Sequence, residues 1–107
     1  MGRIENELIQ WFIKERVPPS YTCNTEYRFC GPAAIIDLWV ESSNEVWIVE
    51  AEKDADYYAL GQLLYYKYLY EDEKMPKQLT LVLLYRNPTA YTIDLFGRYG
   101  IRLETPS

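Results

Sequence analysis

Ala34-Ile-Ile-Asp-Leu-Trp-Val40, the turn Ser42-Ser43-Asn44, and Val46-Trp-Ile-Val-Glu-Ala-Glu52 read as two strands of one hairpin. Both runs are β-branched and aromatic, and a short polar turn between such runs is a hairpin signal. Each carries an acid inside apolar surroundings: Asp37 in the first, Glu50 and Glu52 at the end of the second. Strand side chains alternate between faces, so Glu50 and Glu52 point the same way, with Ile48 and Val46 behind them. Pairing of the two strands brings Asp37 across from Glu50 or Glu52.

Outward from this hairpin the chain alternates helical and extended patterns. Residues 3 to 16 place Ile4, Leu8, Ile9, Trp11 and Phe12 at helical spacing, and Pro18 and Pro19 stop the helix. Residues 18 to 33 form a connection, with a short strand expected near Glu26–Cys30. After the hairpin, Asp54 is the expected N-cap of a helix over roughly 55 to 72. Leu79–Tyr85 is a continuous apolar run of strand length, the pattern of a strand buried on both faces. Asn87-Pro88 opens a helix over about 89 to 98, Gly100 breaks it, and Ile101–Glu104 is a last short strand. Helix, strands, helix, strand, helix, strand implies a mixed sheet flanked by helices, an α/β sandwich.

The chain has 107 residues, 49% hydrophobic and 25% charged, which bounds it to one domain and excludes disorder as its main state. No apolar run reaches the roughly 18 residues of a membrane span. The start carries no signal-like apolar stretch, so a cytoplasmic, intracellular location is expected. There is no histidine, which excludes a Ser-His-Asp triad, a Cys-His pair and a histidine-ligated zinc. Acid–base or metal chemistry must therefore run on carboxylates, lysine or tyrosine. The net charge of −5 argues against a simple nucleic-acid coat, not against an enzyme that holds a cation in an acidic pocket. Converging carboxylates repel and are best accommodated by a hard divalent ion such as Mg²⁺ or Mn²⁺. Otherwise they are ordinary sheet-edge acids facing water or a lysine. Cys23 and Cys30 are two free thiols or one local disulfide; two thiols alone do not make a structural zinc site.

With Asp37, Glu50-Ala51-Glu52 and Gln62-x-x-x-Tyr66 in this order, the chain resembles the PD-(D/E)XK, or restriction-endonuclease-like, nuclease superfamily. Its αβββαβ core matches the element order over nearly the whole chain. Gln62 and Tyr66 lie four residues apart on one helix face, similar to the motif of the RecB-like branch. The resemblance implies a divalent-metal-dependent nuclease acting on DNA, RNA not excluded, and a homodimer. It implies that Asp37, Glu50 and the Ala51 carbonyl hold Mg²⁺ or Mn²⁺, with Glu7 supplied by the opening helix. Gln62 and Tyr66 would contact nucleic acid or order the ligands.

Two positions depart from the pattern. Ile36 stands where a proline precedes the first acid, and Glu52 holds the lysine position. Lys53 is one residue on and points to the opposite sheet face unless a bulge turns it. Lys67 sits about 140° around its helix from Gln62. Glu52 would then position or deprotonate the attacking water. The alternative is a non-catalytic module that binds nucleic acid or protein on the same fold. Tyr57, Tyr58, Tyr65, Tyr66, Tyr68 and Tyr70 crowd one helix; all but Tyr66 are expected to pack on the sheet.

Overall fold

A computed structural model of the chain describes residues 1–31, 34–88 and 91–106. The elements are α1 (Arg3–Arg16), β1 (Thr22–Arg28), β2 (Ile35–Glu41), β3 (Glu45–Asp54), α2 (Tyr57–Asp72), β4 (Gln78–Asn87), α3 (Thr92–Arg98) and β5 (Arg102–Glu104). One five-stranded sheet runs in the order β1-β2-β3-β4-β5. β1, β2 and β3 form an antiparallel meander; β4 and β5 join in parallel after α2 and α3. The observed order contains the restriction-endonuclease-like αβββαβ core, extended by α3 and β5.

Alternation along β3 explains the layers. Trp47, Val49 and Ala51 face α1, which buries Leu8, Ile9 and Phe12 against them. Val46 and Ile48 face the other way, into a core with Leu63 and Tyr66 of α2 and Phe96 of α3. β4 is apolar on both faces for the same reason: Val82 and Leu84 serve one layer, Leu81 and Leu83 the other. A fully buried strand must satisfy both.

The alternation breaks at one place. Leu38 and Val40 of β2 face α1, yet Ile36, two residues before Leu38, lies in the α2 core with Tyr27. On the paired strand β1, Cys23 faces α1 and Tyr27 faces α2, although both are odd-numbered. The change of phase falls at Asp37 and at Glu26, whose φ of 50° is left-handed. A non-glycine residue in that region turns the strand out of its pleat.

Several boundaries differ from expectation. β1 occupies Thr22–Arg28 rather than 26–30, because pairing with β2, not an apolar run, defines this exposed edge strand. β3 runs on through Asp54, since its parallel register with β4 continues to Asp54–Asn87 and the Ala55 N–H donates to Asn87 O at 3.0 Å. The α2 N-cap is therefore Asp56, not Asp54; its Oδ1 accepts the Ala59 N–H at 3.1 Å. The expected start of α3 at 89–90 lies outside the described residues. Cys23 and Cys30 are free thiols, so the local disulfide is not formed. The five strand steps from Cys23 to Arg28 already span about 17 Å, far beyond the roughly 7 Å a bridge tolerates between Cα atoms. The tyrosine expectation also fails in part: Tyr66 and Tyr70 are buried, but Tyr57, Tyr58, Tyr65 and Tyr68 face solvent.

Loss of the α2 cap gives a first prediction. Asp56→Ala should lower stability by about 1 kcal/mol in urea unfolding, because the first-turn N–H groups lose their acceptor. An unchanged midpoint would show that β3–β4 pairing alone holds the start of α2.

Candidate active site

The β2–β3 backbone ladder ends at Leu38–Val49. At the next pair in register, Asp37 and Glu50, side chains take over the sheet hydrogen bonds. The Asp37 N–H donates to Glu50 Oε2 at 3.0 Å, and the Ala51 N–H donates to Asp37 Oδ2 at 3.0 Å. Each carboxylate is thus fixed by a backbone N–H through one oxygen and keeps a second. Of the two acids the sequence sets as possible partners of Asp37, the hairpin register brings Glu50, and the change of strand phase at Asp37 accompanies it.

Glu50 is 2% exposed, the one charged residue among the fully buried positions described. Burial first, then the neighbouring Asp37, pushes its carboxyl up to about 9. Tyr66 reaches it from α2. The Tyr66 hydroxyl donates to Ile35 O at 3.1 Å, close enough to Glu50 for the two groups to shift each other's protonation. Burial and the Glu50 charge hold the Tyr66 phenol well above its usual range, so it remains a donor. Glu52 follows on the face of Glu50, half-buried at the end of the sheet. Its own burial, then Asp37, Asp56, Glu5 and Asp54, push it up to about 7.

Other predicted residues lie elsewhere. Lys53 is exposed and alternates to the side of Ala51, as its spacing implies; no bulge turns it. Glu7 is engaged by Arg86 at 3.1 Å and Arg3 at 3.4 Å rather than by the carboxylates. The α1 acid whose charge acts on the site is Glu5. Gln62 is exposed one turn before Tyr66. Lys67 lines a separate groove of about 470 Å³ with Tyr70, Lys74, Leu79 and Leu81.

Two residues at the site carry no signal in the sequence. A cleft of about 550 Å³ is lined by Asp37, Ile35, Met1, Glu26 and Arg28. Glu26 and Arg28 reach it because β1 pairs with β2 in a register that sets Arg28 opposite Ile35. Only that pairing, not any motif, identifies them.

Among the described residues no three Asp, Glu, Cys or His side chains converge as a metal-ligand group. The adjoining pair Asp37 and Glu50 nevertheless suits a hard cation. Mg²⁺ is commonly held by one or two carboxylates together with substrate phosphate and water. A buried carboxylate whose pKa is raised by a second acid also gains from a compensating positive charge.

The αβββαβ sheet ending in these acids is a fold shared with endonucleases. It superposes on a solved structure of EndoMS in complex with double-stranded DNA with a TM-score of 0.75 at 14% identity, covering 100% of this chain and 46% of that one. A repair endonuclease from Pyrococcus abyssi matches with a TM-score of 0.75 at 15% identity, covering 100% of this chain and 48% of that chain. EndoMS in its apo form matches with a TM-score of 0.64 at 15% identity, again over 100% of this chain and 48% of that chain. At these identities the likeness is one of fold, and the chain spans less than half the length of those structures' chains. No protein-family model and no curated protein matches the sequence. Among the described residues no helix is long and apolar enough to cross a membrane.

Proposed function

We propose that this chain is a divalent-metal-dependent nuclease that hydrolyses phosphodiester bonds in DNA, with RNA as the second substrate class. The observation that carries the reading is the Asp37–Glu50 pair, built into the sheet by two backbone hydrogen bonds, with Asp37 lining a cleft. The shared endonuclease fold supports it. Asp37, Glu50 and the Ala51 carbonyl would hold Mg²⁺ or Mn²⁺. When bound, such an ion polarises a phosphate oxygen and makes water a better nucleophile near neutral pH.

The remaining work falls to the chain's own side chains. Tyr66 is a positioning residue: its hydroxyl donates to the β2 backbone at Ile35 O, and its phenol and the Glu50 carboxyl act on each other's protonation. Glu52, on the same face as Glu50, orients the attacking water and accepts its proton at a carboxylate oxygen. Two strands of a duplex need two sites, so the acting unit is a homodimer.

The experiment is a cleavage assay on single- and double-stranded DNA and RNA with Mg²⁺, Mn²⁺ or EDTA. Glu52→Gln should slow metal-dependent cutting by about 10²- to 10⁴-fold, the range of a general base. Lys53→Ala should leave it unchanged. Loss of activity in Lys53→Ala with retention in Glu52→Gln would reverse the assignment. The acid at the lysine position favours a second reading, a module that binds without cutting. No cutting on any substrate, with no rise in melting temperature on adding Mn²⁺, would establish it.

A further inference from the structure

Helix α2 is apolar on both sides, which a monomer does not explain. Its inner face buries Ala59, Leu63, Tyr66 and Tyr70. Its outer face exposes Tyr57 at 70%, Tyr58 at 70%, Tyr65 at 50% and Tyr68 at 62%. At 3.6 residues per turn these four rings share an arc of about 100°, and Gly61 falls in the middle of it. Between Tyr57 and Tyr68 the face has no charged side chain, since Lys67 turns aside into the groove beside Tyr70 and Lys74; Asp72 continues the face only at the end of the helix.

Gly61 is the second observation. A glycine inside a helix costs about 0.5–1 kcal/mol relative to alanine. Nothing lies within 4 Å of where its Cβ would stand, so no packing within the chain demands the missing side chain. Close approach of another backbone from outside would demand it.

From these residues we infer that the outer face of α2 is the contact surface with a second copy of this chain, the two helices crossing antiparallel at Gly61. The pattern is self-complementary. Tyr58 and Tyr65 lie at equal distances either side of the point between Gly61 and Gln62, so a two-fold axis there sets each against the other in the partner. Aromatic enrichment with charge depletion is the composition of an interface centre. Two chains of net charge −5 also repel least through an uncharged face. The four rings alone expose about 500 Å² at roughly 200 Å² per aromatic side chain, more than half of the ~800 Å² per partner of a standard interface. A nucleic acid would stack on the rings but needs cations along its backbone, which this face lacks.

The inference rests on the helix face and not on the nuclease reading. It is tested by sedimentation equilibrium of the protein at micromolar concentration, beside Gly61→Lys and Tyr65→Lys. The wild-type chain should sediment at twice its monomer mass. Gly61→Lys should raise the dissociation constant at least about 30-fold, the loss of one interface anchor. The same variant should keep the wild-type circular dichroism spectrum and melt no lower at dilutions where both are monomers, because lysine is a better helix former than glycine. Tyr65→Lys should weaken association likewise. A monomeric wild-type chain overturns the inference, as does a dimer whose dissociation constant neither substitution moves. Cleavage activity in either case would leave the proposed function standing.

Discussion

Glu50→Ala is expected to lower metal-dependent DNA cleavage by about 10³-fold or more, the largest loss of any single change in this chain. The side chain is buried and accepts the Asp37 N–H at 3.0 Å. No neighbouring acid can take its place, because Glu52 lies two residues further along the strand. Intact cutting in Glu50→Ala would place the reaction elsewhere on the molecule. Stability provides an independent readout. The Glu50 carboxyl is raised from about 4.5 to about 9 on folding. Between those values the folded chain holds a proton that the unfolded chain releases, so stability falls as pH rises through the window. Glu52, raised to about 7, acts with the same sign over a narrower range. In EDTA the melting temperature should therefore decline from about pH 5 to about pH 9, and Glu50→Gln should flatten that decline. Adding Mn²⁺ at high pH should restore stability to the wild type and not to Glu50→Gln. A wild-type melting temperature that rises over this range would contradict a buried, protonated Glu50.

Trp39→Ala is expected to cost about 3–5 kcal/mol, a large share of the 5–15 kcal/mol that holds a typical domain. Its ring centroid lies 4.5 Å from Tyr27, 5.2 Å from Phe29 and 6.3 Å from Tyr70, so it joins β1 and β2 to α2. Its Nε1–H donates to Glu41 Oε1 at 2.8 Å, and Lys77 Nζ donates to the other Glu41 oxygen at 2.6 Å. Removal leaves a cavity at that junction and strips the carboxylate of one donor. Trp39→Phe keeps most of the packing and should lose markedly less. Urea unfolding measures both. A loss below about 1 kcal/mol for Trp39→Ala would mean that the α2 core can collapse around the gap. The residue bears on the site as well, since it lies two positions after Asp37 on β2, next to the change of strand phase.

Much of this architecture is written in local pattern. The α1 helix appears at its predicted residues, 3 to 16, because Leu8, Ile9 and Phe12 recur at helical spacing and Pro18 blocks continuation. The hairpin is equally local. Its turn and its alternating strands set the register that brings Asp37 to Glu50. Glu50 and Glu52 share a face, and Lys53 does not, by strand alternation alone.

Other features depend on contacts distant in sequence. β1 has little apolar patterning, and its limits follow from pairing with β2. The α2 cap moved from Asp54 to Asp56 because β4, more than twenty residues later, extends β3. Helical periodicity places an acid of α1 near the sheet but does not say which one; the packing of α1 pairs Glu7 with Arg86 and leaves Glu5 as the α1 acid whose charge acts on Glu52. The tyrosines of α2 were legible as a helix but not as two faces, since an apolar residue carries no mark of what buries it. The sequence by itself determined the α/β order and a pairing of Asp37 with Glu50 or Glu52, because strand alternation and hairpin register act over a few residues; the structure chose Glu50. Only the tertiary structure decided the burial that raises Glu50, the cleft flanked by Glu26 and Arg28, and the outward tyrosine face, because burial depends on where whole elements meet.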